Sequence, residues 1–133
     1  MIDPTAHIRI ARPSKDLAAA EQFYVAGLGL EVLFRASGGR PGEHDLLMLG
    51  WRNASWHLEL VAGDEAVPPQ PSQEDLLVIY LAGPVDQVLV DRLVAAGGRQ
   101  LSQSEYWDRW GVTVADPDGY RLVLSTRSWS NAE

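Results

Sequence analysis

At 133 residues the chain is long enough for one domain with a real core, and 46% hydrophobic with 22% charged residues is ordinary for a globular protein. Its formal net charge of −7, without any basic run, argues against nucleic acid and anionic membranes as partners. The absence of cysteine excludes disulfides, thiolate metal sites and cysteine nucleophiles.

Met1 to Thr5 lacks a basic region followed by an apolar one, so no signal peptide is expected. His7 to Ala11 reads as a strand, ended by Pro13 and by Ser14, a helix N-cap type. Lys15 to Ala26 reads as a helix, with Leu17, Ala20, Phe23 and Tyr24 on one stripe and Gly27 and Gly29 closing it. Leu30 to Phe34 is a strand. Ser37 to Gly42 is a Gly-rich connection, and His44 beyond it is expected to be a solvated loop histidine. Asp45 to Trp51 and Trp56 to Val61 form a hairpin around Arg52 to Ser55. Gly63 to Asp75, acidic and carrying Pro68, Pro69 and Pro71, is a linker.

The order then repeats. Leu76 to Leu81 is a strand, within an apolar run too short to span a bilayer, so a soluble cytoplasmic domain is expected. Pro84 sits where an N1 proline starts a helix, and Val85, Val88, Leu89, Leu93 and Ala96 form its stripe. Gly97-Gly98 ends that helix and Arg99 to Leu101 is strand-like. Val112 to Ala115 and Tyr120 to Thr126 form a hairpin around Asp116-Pro117-Asp118-Gly119. His7 to Gly27 and Leu77 to Gly97 are both twenty positions, and Arg52 to Glu59 and Asp116 to Val123 are both seven. The chain is a duplication, one α+β domain over 1–133 made of two tandem βαβββ modules (6–62 and 76–127) with 63–75 between them. On these spacings His7 falls on Leu77 and Glu59 on Val123.

Phe23-Tyr24-x-x-x-Leu28-Gly29-Leu30 at the end of the first helix and Asp116-Pro117-Asp118-Gly119-Tyr120 near the C-terminus give the doubled pattern a family resemblance. The chain resembles the vicinal oxygen chelate superfamily, which includes glyoxalase I, bleomycin-resistance proteins, fosfomycin-resistance enzymes and extradiol dioxygenases. Ile8 to Pro13, Trp56 to Glu59 and Gly111 to Val114 look like an uncharacterised glyoxalase-like branch of it. The resemblance implies sheets curled round a central cavity, commonly completed across a homodimer. It also implies metal ligands on the first and last strands of each module. His7 and Glu59 match those positions in module one; Leu77 and Val123 match them in module two and cannot ligate.

Strand alternation puts His7, Arg9, His57 and Glu59 on one polar face. Leu77, Ile79, Leu81 and Val123 are expected to line an apolar side, with Arg121 beside Val123. Trp56 is expected in the core. Trp107 and Trp110 suit a ligand-stacking wall or a dimer interface. His7, His57 and Glu59 are the candidate catalytic and metal residues; two imidazoles and a carboxylate suit iron, nickel, zinc or manganese. His57 and Glu59 are ~7 Å apart along their strand, which disfavours convergence on one ion. Pairing of Glu59 with Arg9 or His7 is the expected arrangement, and no cofactor is expected.

Three functions remain open. The first is a metal-free binder of a small amphipathic organic molecule, with Arg9, Leu77, Ile79, Trp107, Trp110, Arg121 and Val123 as lining residues. The second is a metal-dependent lyase, transferase or dioxygenase using His7 and Glu59. The third is an interaction module with a degenerate site. Metal content of the purified protein separates the first two.

Overall fold

The computed structural model describes residues 1–63 and 66–132. Gly63 is thus the last described residue before two linker positions, 64 and 65, that lie outside it. The first half forms β1 (Ile8–Pro13), α1 (Leu17–Glu21), β2 (Glu31–Ala36), β3 (Asp45–Gly50) and β4 (Trp56–Ala62). The second half forms β5 (Leu76–Tyr80), α2 (Gln87–Ala95), β6 (Arg99–Leu101), α3 (Glu105–Trp110), β7 (Gly111–Ala115) and β8 (Arg121–Ser125). Each half builds one four-stranded sheet, in the orders β1-β4-β3-β2 and β5-β8-β7-β6. The first strand of each pairs in parallel with the last, which forces it to an outer edge. The two sheets are not joined into one closed sheet. The expected pair of βαβββ modules is what the chain forms, with α3 as an addition to the second. Among the described residues no helix is long and apolar enough to cross a membrane.

The helix starts differ from expectation. Asp16, not Ser14, caps α1: its carboxylate accepts from Ala19 N at 3.1 Å, and Ser14 is buried with its hydroxyl accepting from Asp16 N. A carboxylate is the stronger acceptor for amides at a helix N-terminus. Asp86 likewise caps α2 through Val88 N, leaving Pro84 two residues upstream of the cap. The end of α1 widens into a π-helical stretch, Gln22–Gly27, where Leu28 N donates to Phe23 O. Within it Phe23 and Tyr24 are fully buried and meet edge to face.

The two modules pack through their helices. The π-helical stretch lies on α2, so that a Cβ added at Gly27 would sit 3.1 Å from Leu93 Cδ2. Arg92 Nε donates to the Gly27 carbonyl at 2.8 Å, satisfying one of the acceptors a helix end leaves open. One core draws on both halves, with Phe23, Tyr24, Leu47 and Leu58 from the first and Leu93, Leu122 and Leu124 from the second. Each fully buried Leu or Phe contributes ~2 kcal/mol by leaving water. Trp56 packs against this core as expected.

Sheet register corrects the superposition of the halves. Leu58 and Leu122 both lie in the core, and their parallel partners are Ile10 and Leu77. Leu77 is therefore the counterpart of Ile10, and the counterpart of His7 lies three residues earlier, at Glu74. His7 itself precedes β1. Equal spacing to Gly97 and Gly27 concealed this shift, because the two modules join strand to helix through segments of different length.

The faces follow. Arg9, Ala11 and Pro13 pair with His57, Glu59 and Val61, so these side chains share the face turned away from the helices. On the second sheet that face carries Val78 and Val123, partners in the ladder. Leu77 and Ile79 pair with Leu122 and Leu124 and pack against the core, so they do not line a ligand-facing surface. A three-residue slip is odd, and an odd slip exchanges faces. Val123 is also removed from that surface. It is fully buried, as are Thr113 and Ser125 on the same face, because α3 packs over β7 and β8.

Candidate functional site

Four side chains expected to share a face do meet, on β1 and β4 of the first sheet. Parallel pairing sets Arg9 beside His57 and Ala11 beside Glu59. Ala11 has no side chain long enough to separate its neighbours, so the Arg9 guanidinium reaches diagonally to Glu59. Arg9 Nη1 lies 3.4 Å from Glu59 Oε1, and Arg9 Nε donates to His57 Nε2 at 3.3 Å. His57 Nδ1 and His7 Nε2 are 2.7 Å apart. Glu59 is 13% exposed and Arg9 51% exposed, so the carboxylate sits at the base and the guanidinium reaches solvent.

The hydrogen bonds fix the protons. A guanidinium only donates, so His57 Nε2 accepts and its proton sits on Nδ1. His57 Nδ1–H then donates to His7 Nε2. The relay Arg9 to His57 to His7 requires a neutral His57. Burial holds the His57 imidazole below its ordinary value near 6.5, His7 and Arg9 push it further down, and Glu59 opposes them. This makes a pH prediction. The unfolded chain binds a proton at His57 before the folded chain does as pH falls. The stability His57 contributes is therefore complete above pH 6.5 and is lost as pH falls below it towards the folded value. Imidazole nitrogen NMR should give a His57 midpoint below 6.5 and a proton on Nδ1; a midpoint at or above 6.5, or a proton on Nε2, would contradict the relay.

The donor set does not fit a divalent metal. A permanent cation sits against the Glu59 carboxylate and holds one ring nitrogen of His57, and the other ring nitrogen is committed to His7. Among the described residues no three His, Cys, Asp or Glu side chains are gathered as a metal would need. The expected pairing of Glu59 with Arg9 is what forms.

Next to the relay is an apolar cleft of about 360 Å³. Ala11, Pro13 and Val61 line it on the same face as Glu59, together with Arg12 from β1 and His44, Ala66 and Val67. Here His44 departs from the solvated loop position expected of it. It is half-buried, and its Nδ1 is enclosed without a partner. The ladder explains this: Asp45 pairs with Ala62, so His44 is carried against Gly63. No spacing in the sequence marks that encounter. Val67 was equally invisible, lying in a proline-rich linker.

The remaining candidates gather on the second sheet. Arg121 Nη1 donates to Gln103 Oε1 at 2.6 Å. Trp107 and Trp110 belong to α3, a helix not expected from the sequence; Ser104, whose hydroxyl accepts from Trp107 N, was its available signal. Arg127 stacks over the Trp110 ring at 4.6 Å. Arg121 and Arg127 thus tie the segment around α3 to β8 and the residues that follow it.

Residues 8–61 match the model of the YycE-like N-terminal domain and residues 74–126 that of the YycE-like C-terminal domain. The chain belongs to the YycE-like family. An uncharacterised family member, YycE of Bacillus subtilis, is 36% identical over 122 residues, which cover 90% of this chain and 86% of that one. The crystal structure of a YycE protein of unknown function from the same organism superposes with a TM-score of 0.82 at 30% identity, covering 97% of this chain and 95% of that one. The family's fold is that of the vicinal oxygen chelate superfamily. Glyoxalase I of Leishmania major matches with a TM-score of 0.67 at 21% identity over 88% of this chain and 83% of that one. The fosfomycin-resistance protein FosX of Listeria monocytogenes matches with a TM-score of 0.69 at 14% identity over 96% and 95%.

Proposed function

We propose that this YycE-like chain binds a small amphipathic organic molecule on the open face of its first sheet, without a metal centre. The observation that carries this reading is the adjacency of Arg9, half exposed and bridging His57 and Glu59, to the apolar cleft over Ala11, Pro13 and Val61. A charged head on Arg9 and an apolar body in the cleft satisfy both surfaces at once. A further structural relative, TnmS3 of Streptomyces sp. CB03234, is an antibiotic-binding protein with a TM-score of 0.62 at 25% identity, over 92% of this chain and 97% of that one. On the second sheet α3 packs over β7 and β8, where Thr113, Val123 and Ser125 are buried.

The protein acts as a homodimer in this reading. β1 is an edge strand, and its Ile8 and Ile10 remain 59% and 37% exposed although both turn towards the core side. A second copy would cover Ile8, the more exposed of the two. Light scattering of the purified protein should give twice the chain mass, and a Ile8→Lys variant should return it to one.

A panel of amphipathic carboxylates and amphipathic amines, read by titration calorimetry, tests the binding. Arg9→Ala should weaken the best ligand by about 10-fold or more, as expected for a lost charge-assisted hydrogen bond. Chelation should leave binding unchanged, and metal analysis should find less than stoichiometric metal. Stoichiometric metal that disappears in Glu59→Ala would overturn the metal-free reading.

A further inference from the structure

Arg12 is the one charged residue on the core side of β1, alternating with Ile8 and Ile10 and pairing with Leu60. Its guanidinium lies 4.6 Å over the Tyr120 ring of the other module. It is half-buried, and its Nη1 is sealed from solvent without an acceptor. Among the described residues no carboxylate lies within 4 Å of it, whereas Arg9, Arg35, Arg40 and Arg52 each have one. A half-buried cation stacked on an aromatic ring is held in place but not neutralised.

Arg12 and Tyr120 line a cleft of about 440 Å³ at the seam between the modules. Across it stand Glu74 and Asp75, with Gln70 beside them and Ile10 and Leu76 at the edge strands. Asp75 is fixed there, since its Oδ2 accepts from Ser72 N at 2.7 Å. The cleft thus gathers a guanidinium and two exposed carboxylates in one lining. They are too far apart to pair directly, and the gap between them is open.

We infer that this seam cleft, which shares Ala11, Arg12 and Pro13 with the apolar cleft beside the Arg9 face, is a further binding site, for a small zwitterion of the α-amino-acid type. The carboxylate of the ligand takes the accessible edge of Arg12, where a planar guanidinium suits two oxygens. Its ammonium lies against Glu74 and Asp75. Each charge of the ligand then meets the opposite charge it lacks a partner for, and neither a simple anion nor a simple cation satisfies both walls. The site exists only when both modules are assembled, because Arg12 comes from β1 of the first, Tyr120 from the second, and Glu74 and Asp75 from the end of the linker between them.

The test is a titration followed by backbone amide NMR, with L-alanine as the probe and acetate and ethylammonium as its two halves. L-Alanine should shift the amides of Ile10, Leu76 and Tyr120 saturably and leave those of His57 and Val61 in place. Each half-probe should bind about 10-fold more weakly or not at all. Glu74→Gln with Asp75→Asn alters only exposed side chains and keeps the acceptor for Ser72 N; it should lower the alanine response to that of acetate while leaving acetate unchanged. Arg12→Gln should abolish both, with a retained amide spectrum showing that the fold survives. No saturable response to L-alanine, acetate binding as tight as L-alanine, or an alanine response unchanged in the Glu74→Gln/Asp75→Asn protein would each overturn the proposal.

Discussion

Gly98→Ala should destabilise the protein by about 3 kcal/mol, a fall of about 10 °C in the midpoint of thermal unfolding for a chain of this size. A Cβ added there would lie 2.6 Å from Phe23 Cε1, 2.7 Å from Val114 Cγ1 and 2.8 Å from the Leu93 carbonyl oxygen. Phe23 is in the first module and the other two are in the second, so the clash falls on the seam that joins them. The backbone of Gly98 is not left-handed, which makes the effect one of space alone. Gly29 is the control. It has a φ of +93° but nothing within 4 Å of its missing Cβ, so Gly29→Ala should cost about 1 kcal/mol through backbone strain only. Calorimetry of the two variants gives the comparison; a Gly98→Ala protein as stable as Gly29→Ala would show that the modules yield freely at their contact.

The second large effect belongs to Asp116. It is 6% exposed and accepts three hydrogen bonds, from the Tyr24 hydroxyl at 2.6 Å, from Asp118 N at 2.8 Å and from Tyr120 N at 3.0 Å. Two of these shape the Asp-Pro-Asp-Gly turn, and the third ties it to the π-helical stretch of the other module. Asp116→Ala leaves the enclosed Tyr24 hydroxyl and the Tyr120 amide without an acceptor and should cost about 3 kcal/mol. Tyr24→Phe removes one bond without stranding Asp116 and should cost about 1 kcal/mol. The double variant should cost less than the sum, since the two share one interaction. Burial, the largest influence, holds the Asp116 carboxyl above its ordinary value near 3.8. The folded chain therefore keeps this proton longer than the unfolded chain as pH rises. The advantage is complete below pH 3.8 and is lost as pH rises through the folded value. Asp116→Asn should remove that slope from the stability profile, and denaturant midpoints measured between pH 3 and 7 would expose its persistence.

Much of the site was legible from alternation alone. Arg9, His57 and Glu59 share a face because the side-chain period of a strand is two, and that holds whatever the strand packs against. The pairing of Glu59 with Arg9 also followed, since a carboxylate with little exposure needs a cation. His44 and Val67 could not be found in this way. They reach the cleft through the β3–β4 ladder and a loop that crosses it, and neither leaves a periodic signal. Arg12 did leave one, a single charge among alternating isoleucines, but its meaning depends on Tyr120 from 108 positions away.

The two βαβββ modules, their helix stripes and turns, and the polar face of the first sheet can be read from the residues alone. These depend on local spacing and on residue chemistry. How the halves correspond cannot be read that way. The equal distances from His7 to Gly27 and from Leu77 to Gly97 suggested one alignment, and the parallel ladders imposed another, three residues away. An odd slip turns every side chain of a strand to the opposite face, so Leu77 and Ile79 went to the core. The folding of α3 over the second sheet then left the first as the open one. Both outcomes are set by hydrogen bonds and packing between residues far apart in the chain, and no local pattern carries that information.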